Sequence, residues 1–272
     1  CWNWFDDDQT TRGRGEAAML DDLVGRHVEE YAIDTTRAFV AGLSAGAAMA
    51  ANLAAAYPER FTAVGIHSGL GYDAAENGDE AVAVMDDPSR YDPQSQGRAA
   101  YEAMGERARV VPALVVHGND DSVVDPRHGS HATEQATQTN DLADDGVDDD
   151  SIDYTADRIV TGESGGLVSR RFTRSEYHGE RGESVVVEYV VDGLGHAWSG
   201  GNPAGSFVDA FGPSASELLW SFFDAQRAGR RPVADAESVV TGVGEEIPFY
   251  GGGSYDPDGT VVRYEWDFGD GE

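Results

Sequence analysis

The sequence predicts an α/β protein in which a mostly parallel sheet is flanked by helices, followed by a small β-rich tail. Three observations point there. Short apolar runs alternate with helical patterns up to about residue 228, the rhythm of strands joined by crossover helices. One run passes through Gly42-Leu43-Ser44-Ala45-Gly46 into an Ala-rich stretch, the G-x-S-x-G form of a strand, tight turn and helix. From Val233 the texture changes to short β-like runs separated by Gly and Asp turns.

Taken in order, Glu16 to Tyr31 places Met19, Leu20, Leu23, Val24 and Val28 on one face, predicting a helix that packs on the sheet. Ala38-Phe39-Val40-Ala41 suits a buried parallel strand. Ala45 to Tyr57, with Met49 and Leu53, suits a helix closed by Pro58. Phe61 to His67 reads as the next strand. Leu70 to Tyr101 is rich in Gly, Asp and Pro and reads as loop, apart from a helix near Glu80 to Met85. Val111 to Gly118 is a buried-strand pattern, and Pro126 opens a helix carrying His128 and His131. Asp141 to Arg181 reads as a polar, acidic insertion with a weak strand near Gly166 to Thr173. Ser184 to Val191 is strongly β-prone. Pro213 to Ala228 interleaves Leu218, Leu219, Trp220, Phe222 and Phe223 with polar residues at helical spacing. There are no internal repeats.

The chemistry starts at Ser44. A strand–turn–helix lifts a serine hydroxyl above the sheet edge, and glycines two residues either side avoid collision within the turn. The backbone N–H of Ala45, at the helix start, suits an oxyanion formed when Ser44 attacks a carbonyl. Serine alone is a weak nucleophile, so a base and an acid must follow. In this architecture the chain order is Ser, then Asp or Glu, then His. Asp120, Asp121 and Asp125 compete just beyond the strand ending at Gly118; Asp121 is favoured because His117-Gly118-Asn119-Asp120-Asp121 sets the spacing usual for this loop in such hydrolases. The base is read as His196, in a Gly-rich loop after the strand ending at Val191. Of the other histidines, His27, His128 and His131 fall in helical patterns, His178 in a charged loop, and His67 and His117 end strands, where they read as packed in the core or as backing the catalytic residues from behind.

Several blocks together resemble the poly(3-hydroxybutyrate) depolymerase-type esterases. They are Cys1-Trp2-Asn3-Trp4-Phe5, Gly42 to Gly46 with Met49-Ala50, Tyr57-Pro58 followed by Phe61 to Gly65, His67-Ser68-Gly69-Leu70, and Gly195-His196-Ala197-Trp198-Ser199-Gly200-Gly201. The resemblance spans residues 1 to about 228. It implies an α/β-hydrolase, secreted and acting on ester bonds, with Ser44, Asp121 and His196 as catalytic triad. Such enzymes cleave polyhydroxyalkanoates, and relatives cleave feruloyl or acetyl esters of plant polysaccharides. The resemblance carries Trp2 and Trp198, and less directly Trp4, to the substrate crevice. In this fold class the segment after the second strand covers the site, which adds Leu70 and Tyr72. A rival reading is a surface-binding protein with an inert hydrolase domain. The strand ending in His-Gly that supplies a second oxyanion donor in such enzymes lies outside this sequence, which therefore reads as a hydrolase domain lacking its first strands.

The expected division is a hydrolase domain at 1–229, a linker at 230–234 and a β-rich segment at 235–272. Ser254-Tyr255-Asp256-Pro257-Asp258-Gly259 and Tyr264-Glu265-Trp266-Asp267-Phe268-Gly269-Asp270-Gly271 resemble the first half of a PKD domain, an immunoglobulin-like sandwich. A sandwich needs about 100 residues, so this segment is expected to be incompletely folded by itself.

The chain has 50 acidic residues against 19 basic, a formal charge of −31, and every basic residue is Arg. Such a field repels nucleic-acid phosphates and anionic membranes, so neither is an expected partner. No apolar run approaches the roughly 18 residues of a membrane-spanning helix. Asp6-Asp7-Asp8 and Asp148-Asp149-Asp150 read as solvated surface, and no His/Cys cluster has metal-ligand spacing, so neither a metal nor a cofactor is expected. Cys1 is the single cysteine, so no intrachain disulfide forms within this sequence. A hydrated, acidic, Lys-free surface resembles that of haloarchaeal proteins. The thermal midpoint should accordingly rise between about 0.1 M and 3 M KCl, because molar salt shortens the screening length to about 3 Å. A midpoint that is flat or falling across that range in a melting series would count against a fold limited by self-repulsion.

Overall fold

Nearly continuous apolar runs in the central strands, buried throughout β2 and β3, leave the sheet no solvent face, so helices cover both sides. The computed structural model describes residues 1–226, apart from 166, 167 and 181. The expected linker and PKD-like tail lie outside the described residues, as does the start of the weak strand expected near Gly166. Cys1–Gln226 forms one compact unit.

The elements are α1 (Asp7–Thr10), α2 (Gly15–Tyr31), β1 (Phe39–Leu43), α3 (Ala45–Ala56), β2 (Ala63–His67), α4 (Gly78–Asp86), α5 (Pro93–Met104), β3 (Ala113–Gly118), α6 (Arg127–Asp145), β4 (Arg158–Glu163), β5 (Arg171–His178), β6 (Ser184–Val191), β7 (Trp198–Ser199), β8 (Val208–Asp209) and α7 (Ala215–Ala225). The main sheet runs β1-β2-β3-β6-β5-β4. Its first four strands are parallel, with Leu43 beside His67 and His67 beside Val116, while β5 and β4 continue antiparallel. Because β1, β2, β3 and β6 point the same way, the loops after all four emerge at one sheet edge. Ser44, His67, Asp121 and His196 are all at or just beyond those strand ends.

Alternation within the strands sorts the core into two layers. Val64, Ile66, Ala113, Val115 and Val186 pack on one side with Ala47, Ala50, Ala51 and Ala54 of α3 and Ala132 of α6. Ala63, Leu114, Val116, Val187 and Tyr189 pack on the other with Leu219, Phe222 and Phe223 of α7. There Phe39 and Phe223 stack with centroids 4.7 Å apart. The smallness of the alanines lets α3 lie close to the strands.

Three expectations are corrected. The helix at 15–31 forms, but Met19 and Leu23 are about half exposed; Ala17, Leu20 and Val24 instead pack with Met49, Leu53 and Tyr57, so α2 seats mainly on α3. The segment after Leu70 holds a second helix, α5, as well as α4. Asp92 caps α5 by accepting from Ser95 N at 2.9 Å, with Pro93 in the first turn, a start signal available in the sequence. Its buried positions are Pro93, Gly97, Ala100 and Met104, a stripe at helical spacing but built mostly of residues that are not strongly apolar, within a segment whose Gly, Asp and Pro content reads as loop. The region from Asp141 is not one insertion: α6 continues to Asp145, and β4 and β5 extend the sheet, with β5 beginning at Arg171 and ending at His178.

α6 is polar yet buried, because its amide and hydroxyl side chains substitute for backbone partners. Asn140 accepts from Val111 N at 2.7 Å and donates to Val111 O at 3.1 Å. Gln135 makes the equivalent pair with Tyr72 N and O, at 2.7 and 2.9 Å. Asn140→Ala should therefore cost about 2–3 kcal/mol, since it leaves a buried backbone N–H and C=O unpaired. Denaturant unfolding checks this, and a loss below about 0.5 kcal/mol would show that water replaces the side chain.

Candidate active site

The turn after β1 is strained where chemistry would need it. Ser44 has φ 58° and ψ −124°, a region that non-glycine residues enter at a cost of about 1–3 kcal/mol. A Cβ on Gly42 would land on the backbone of Gly46 and Ala47, whereas one on Gly46 would meet only ring atoms of Trp2 at 4.0 Å. The glycine requirement thus falls on position 42 and not, as the sequence reading has it, equally on both. Ser44 N–H donates to His67 O at 3.0 Å, and Ser44 O accepts from Ala47 N and Ala48 N at 2.9 and 3.1 Å. Ala45 opens α3, so its N–H is one of the amides that have no acceptor within the helix.

Asp121 has a side chain with no exposed surface. Its Oδ1 accepts from Val123 N and Val124 N at 2.9 and 3.0 Å, and its Oδ2 accepts from His196 Nδ1 at 2.9 Å. His117 Nε2 lies 3.5 Å from the same Oδ2. Burial works against the charged carboxyl. The hydrogen bonds from His117, His196, Val124 N and Val123 N outweigh it and hold the group well below its ordinary value. Of the three competing acids, Asp121 is the one bonded to His196. Asp125 pairs with Arg127 at 2.8 Å, and Asp120 is exposed.

Two loops are stitched together so that this pair can form. Asp120 N donates to Leu194 O at 3.2 Å, Asn119 Nδ2 to Asp192 Oδ1 at 2.8 Å and Gly193 N to Asn119 Oδ1 at 2.7 Å. A Cβ at Gly118 would strike Leu194 O, so glycine there lets the loops approach. His196 is only 10 % exposed. With Nδ1 bonded to Asp121, Nε2 is the ring nitrogen left for another partner.

The remaining histidines take structural positions. His67 and His117 are buried at the ends of β2 and β3, in keeping with the packing roles read from sequence. His128, on α6, is also buried; its Nε2 meets Val84 O at 2.7 Å and its Nδ1 meets Tyr91 Oη at 3.0 Å. Burial pushes His128 down to about 4. Asp125 N donates to Met85 O at 2.9 Å, so α4 is fastened once to the acid-bearing loop and once, through His128, to the start of α6. His178 ends β5 beside Glu176, not a loop.

The crevice residues separate. Trp2 is half-buried beside Gly46. Trp198 is half-buried, stacks on His67 and donates from Nε1 to Ser216 Oγ at 3.2 Å. Trp4 and Leu70 are core residues, 5 % and 1 % exposed, packed with Ala48, Ala74, Val84 and Val124; their side chains are spent on holding α4 and leave no surface for a ligand. Tyr72 lines an apolar cavity of about 40 Å³ with Ala51, Ala132 and Gln135, and burial raises its hydroxyl to about 12. Two adjacent apolar strands each ending in His give the reading of His67 and His117 as packed or backing the site, and both descriptions hold: they are buried, and they lie against Ser44 N and Asp121 Oδ2. What the sequence does not show is which groups each ring meets.

Among the described residues no group of three or more His, Cys, Asp or Glu could hold a metal ion, and no helix is long and apolar enough to cross a membrane. The family model for esterase PHB depolymerase matches residues 1–152, and that for the PKD domain matches residues 229–272. Poly(3-hydroxyalkanoate) depolymerase C of Paucimonas lemoignei is 30 % identical over 197 residues, 72 % of this chain and 44 % of its own length. Feruloyl esterase B of Thermothelomyces thermophilus is 26 % identical over 144 residues, covering 50 % of this chain and 49 % of that one. The chain spans less than half the length of these relatives. The structure of acetyl xylan esterase from Aspergillus awamori superposes with TM-score 0.56 at 20 % identity, covering 72 % of this chain and 68 % of that one, a likeness of fold.

The depressed Asp121 carboxyl makes a signed prediction. Its contribution to stability is complete above the ordinary value of 3.8, and it is lost as pH falls below that toward the folded value. Asp121→Ala should cost about 1–3 kcal/mol at neutral pH by stranding the buried amide of Val124 and removing the acceptor of the part-buried amide of Val123. The gap between parent and variant should narrow as pH drops below about 4. Urea unfolding across pH measures it, and a gap that stays constant or widens in acid would contradict the assignment.

Proposed function

The chain belongs to the esterase PHB depolymerase family, and from that premise we propose that it is a serine hydrolase cleaving ester bonds of poly(3-hydroxybutyrate) or related polyhydroxyalkanoate oligomers. The observation that carries the reading is the 2.9 Å hydrogen bond from His196 to a buried, fully satisfied Asp121, at the sheet edge where Ser44 occupies its strained turn. His196 Nε2 takes the Ser44 proton as Oγ attacks the ester carbonyl, and Asp121 steadies the imidazolium without itself accepting the proton. The N–H of Ala45 donates to the oxyanion. His196 then protonates the departing alcohol, and a water deprotonated by His196 releases the acid and restores Ser44. Trp2, beside the elbow, and Trp198, beside His196, offer aromatic surface suited to repeating methyl and ester groups.

The proposed division is a hydrolase domain at 1–229, a linker at 230–234 and a PKD-like segment at 235–272, supported by the compact unit ending at Gln226 and the PKD match from 229. The depolymerase relatives and the PKD match support a secreted, extracellular enzyme, and the acidic, Lys-free surface fits a saline, haloarchaeal setting. The second reading is an esterase for feruloyl or acetyl groups on polysaccharide, favoured by the feruloyl esterase relative; it would use the same three residues.

In molar KCl, hydrolysis of p-nitrophenyl butyrate and of a 3-hydroxybutyrate trimer should both proceed and both vanish in Ser44→Ala, with residual turnover at least about 10³-fold below the parent. Activity on methyl ferulate without the trimer would transfer the assignment to the carbohydrate-ester reading. Parent-like turnover in the Ser44 variant would sink the nucleophile, and a folded chain unreactive to fluorophosphonate would point to a non-catalytic role.

A further inference from the structure

His67 is used by no step above, yet it touches both halves of the machinery. Its backbone carbonyl accepts Ser44 N–H at 3.0 Å. Its ring Nε2 accepts Ser199 N–H at 3.0 Å, and Nδ1 lies 3.0 Å from Ser68 Oγ. The ring also stacks on Trp198, with centroids 5.0 Å apart and planes at 22°. Ser199 has no exposed surface and His67 is 1 % exposed, so water cannot replace either contact. Accepting from Ser199 requires a bare Nε2, which leaves the proton on Nδ1, donated to Ser68.

The consequence is mechanical. Ser44 follows β1, and the loop of His196 follows β6, three strand positions away in the sheet. Asp121 governs the rotation of the His196 ring but bonds only the ring. The backbone just downstream pairs outward with β8, through Trp198 N to Phe207 O and Gly200 N to Asp209 O; its bond back toward the elbow side of the sheet is Ser199 N to His67. One residue therefore holds the nucleophile's amide with its main chain and the base's loop with its side chain. Resting on the serine-hydrolase reading above, we propose that His67 is a positioning residue, a neutral imidazole strut that sets the spacing between Ser44 and His196.

Its charge state suits the role. The groups that bear on it electrostatically are His117, Asp121 and His196, and burial, the largest influence, pushes it down to about 3. The strut thus stays neutral while His196 becomes positive beside it, and it does not oppose that charge.

The test compares the parent chain with His67→Phe and His67→Gln in molar KCl, using p-nitrophenyl butyrate turnover and the rate of fluorophosphonate labelling. Phe keeps an aromatic ring for Trp198 but removes the acceptor for Ser199; Gln restores an acceptor near the position of Nε2. His67→Phe should lose about 10- to 100-fold in kcat with KM little changed, the scale of a misplacement near 1 Å. His67→Gln should recover to within about fivefold of the parent on the same scale. Parent-like kcat in the Phe variant, or a Gln variant as slow as the Phe variant, would overturn the proposal. A parent that neither turns over nor labels would instead overturn the hydrolase reading, and the positioning role with it. Should the Phe variant not fold, ¹⁵N-histidine spectra of the parent decide. One ring, identified by its absence in His67→Gln, should remain the neutral Nδ1–H tautomer from pH 5 to 9, as a ring donating to Ser68 and accepting from Ser199 requires. A ring that titrates in that range, or carries its proton on Nε2, would overturn the strut.

Discussion

A carboxylate shut away from water is the constraint around which this site is arranged. Asp121 has no exposed side-chain surface, and an ion so placed persists only if every lone pair has a partner. The partners come from two directions: the amides of Val123 and Val124 from its own loop, and His196 from a loop that follows a different strand. Satisfying the charge therefore fixes the relative position of the two loops. The cross-links between Asn119, Asp120, Asp192, Gly193 and Leu194 hold them there independently of that ring. This is preorganisation in the electrostatic sense, with the reorganisation completed during folding.

The elbow is the complementary case, where strain replaces buried charge. Ser44 persists at positive φ because the structure around it over-determines the turn. β1 and β2 pair up to Leu43 and His67, His67 O takes the Ser44 amide, and Gly42 lets the start of α3 close onto the strand. The alanines of α3 complete the arrangement, since larger side chains would push the helix, and the serine with it, away from the sheet.

Much of this was legible in the sequence because the sheet is buried on both faces. Continuous apolar runs marked β1, β2, β3 and β6, and the residues just past them, Ser44, Asp121 and His196, were legible as candidates because parallel strands deliver their ends to one edge. What escaped has physical reasons. α5 buries Pro93, Gly97, Ala100 and Met104 at helical spacing, but two of these are Pro and Gly, which mark the segment as loop. α6 buries Thr133, Gln135, Thr139 and Asn140, residues that look solvent-facing until their backbone partners are known. Trp4 and Leu70 carry the composition of a binding surface but are consumed in packing. His67 could be judged buried from its place at a strand end, but which loop its ring would meet depends on strand order, which no local pattern encodes.

The fastening of α4 to the acid loop bears on divergence. Val84 O meets His128 on α6, and Met85 O receives Asp125 N from the loop that presents Asp121, so the excursion between β2 and β3 is tied to its neighbours through its own main chain. Lengthening or shortening the excursion near positions 84 and 85 would break both contacts, whereas exchanging side chains on the retained backbone would leave them in place. Variation there should therefore be accepted more readily as substitution than as insertion or deletion.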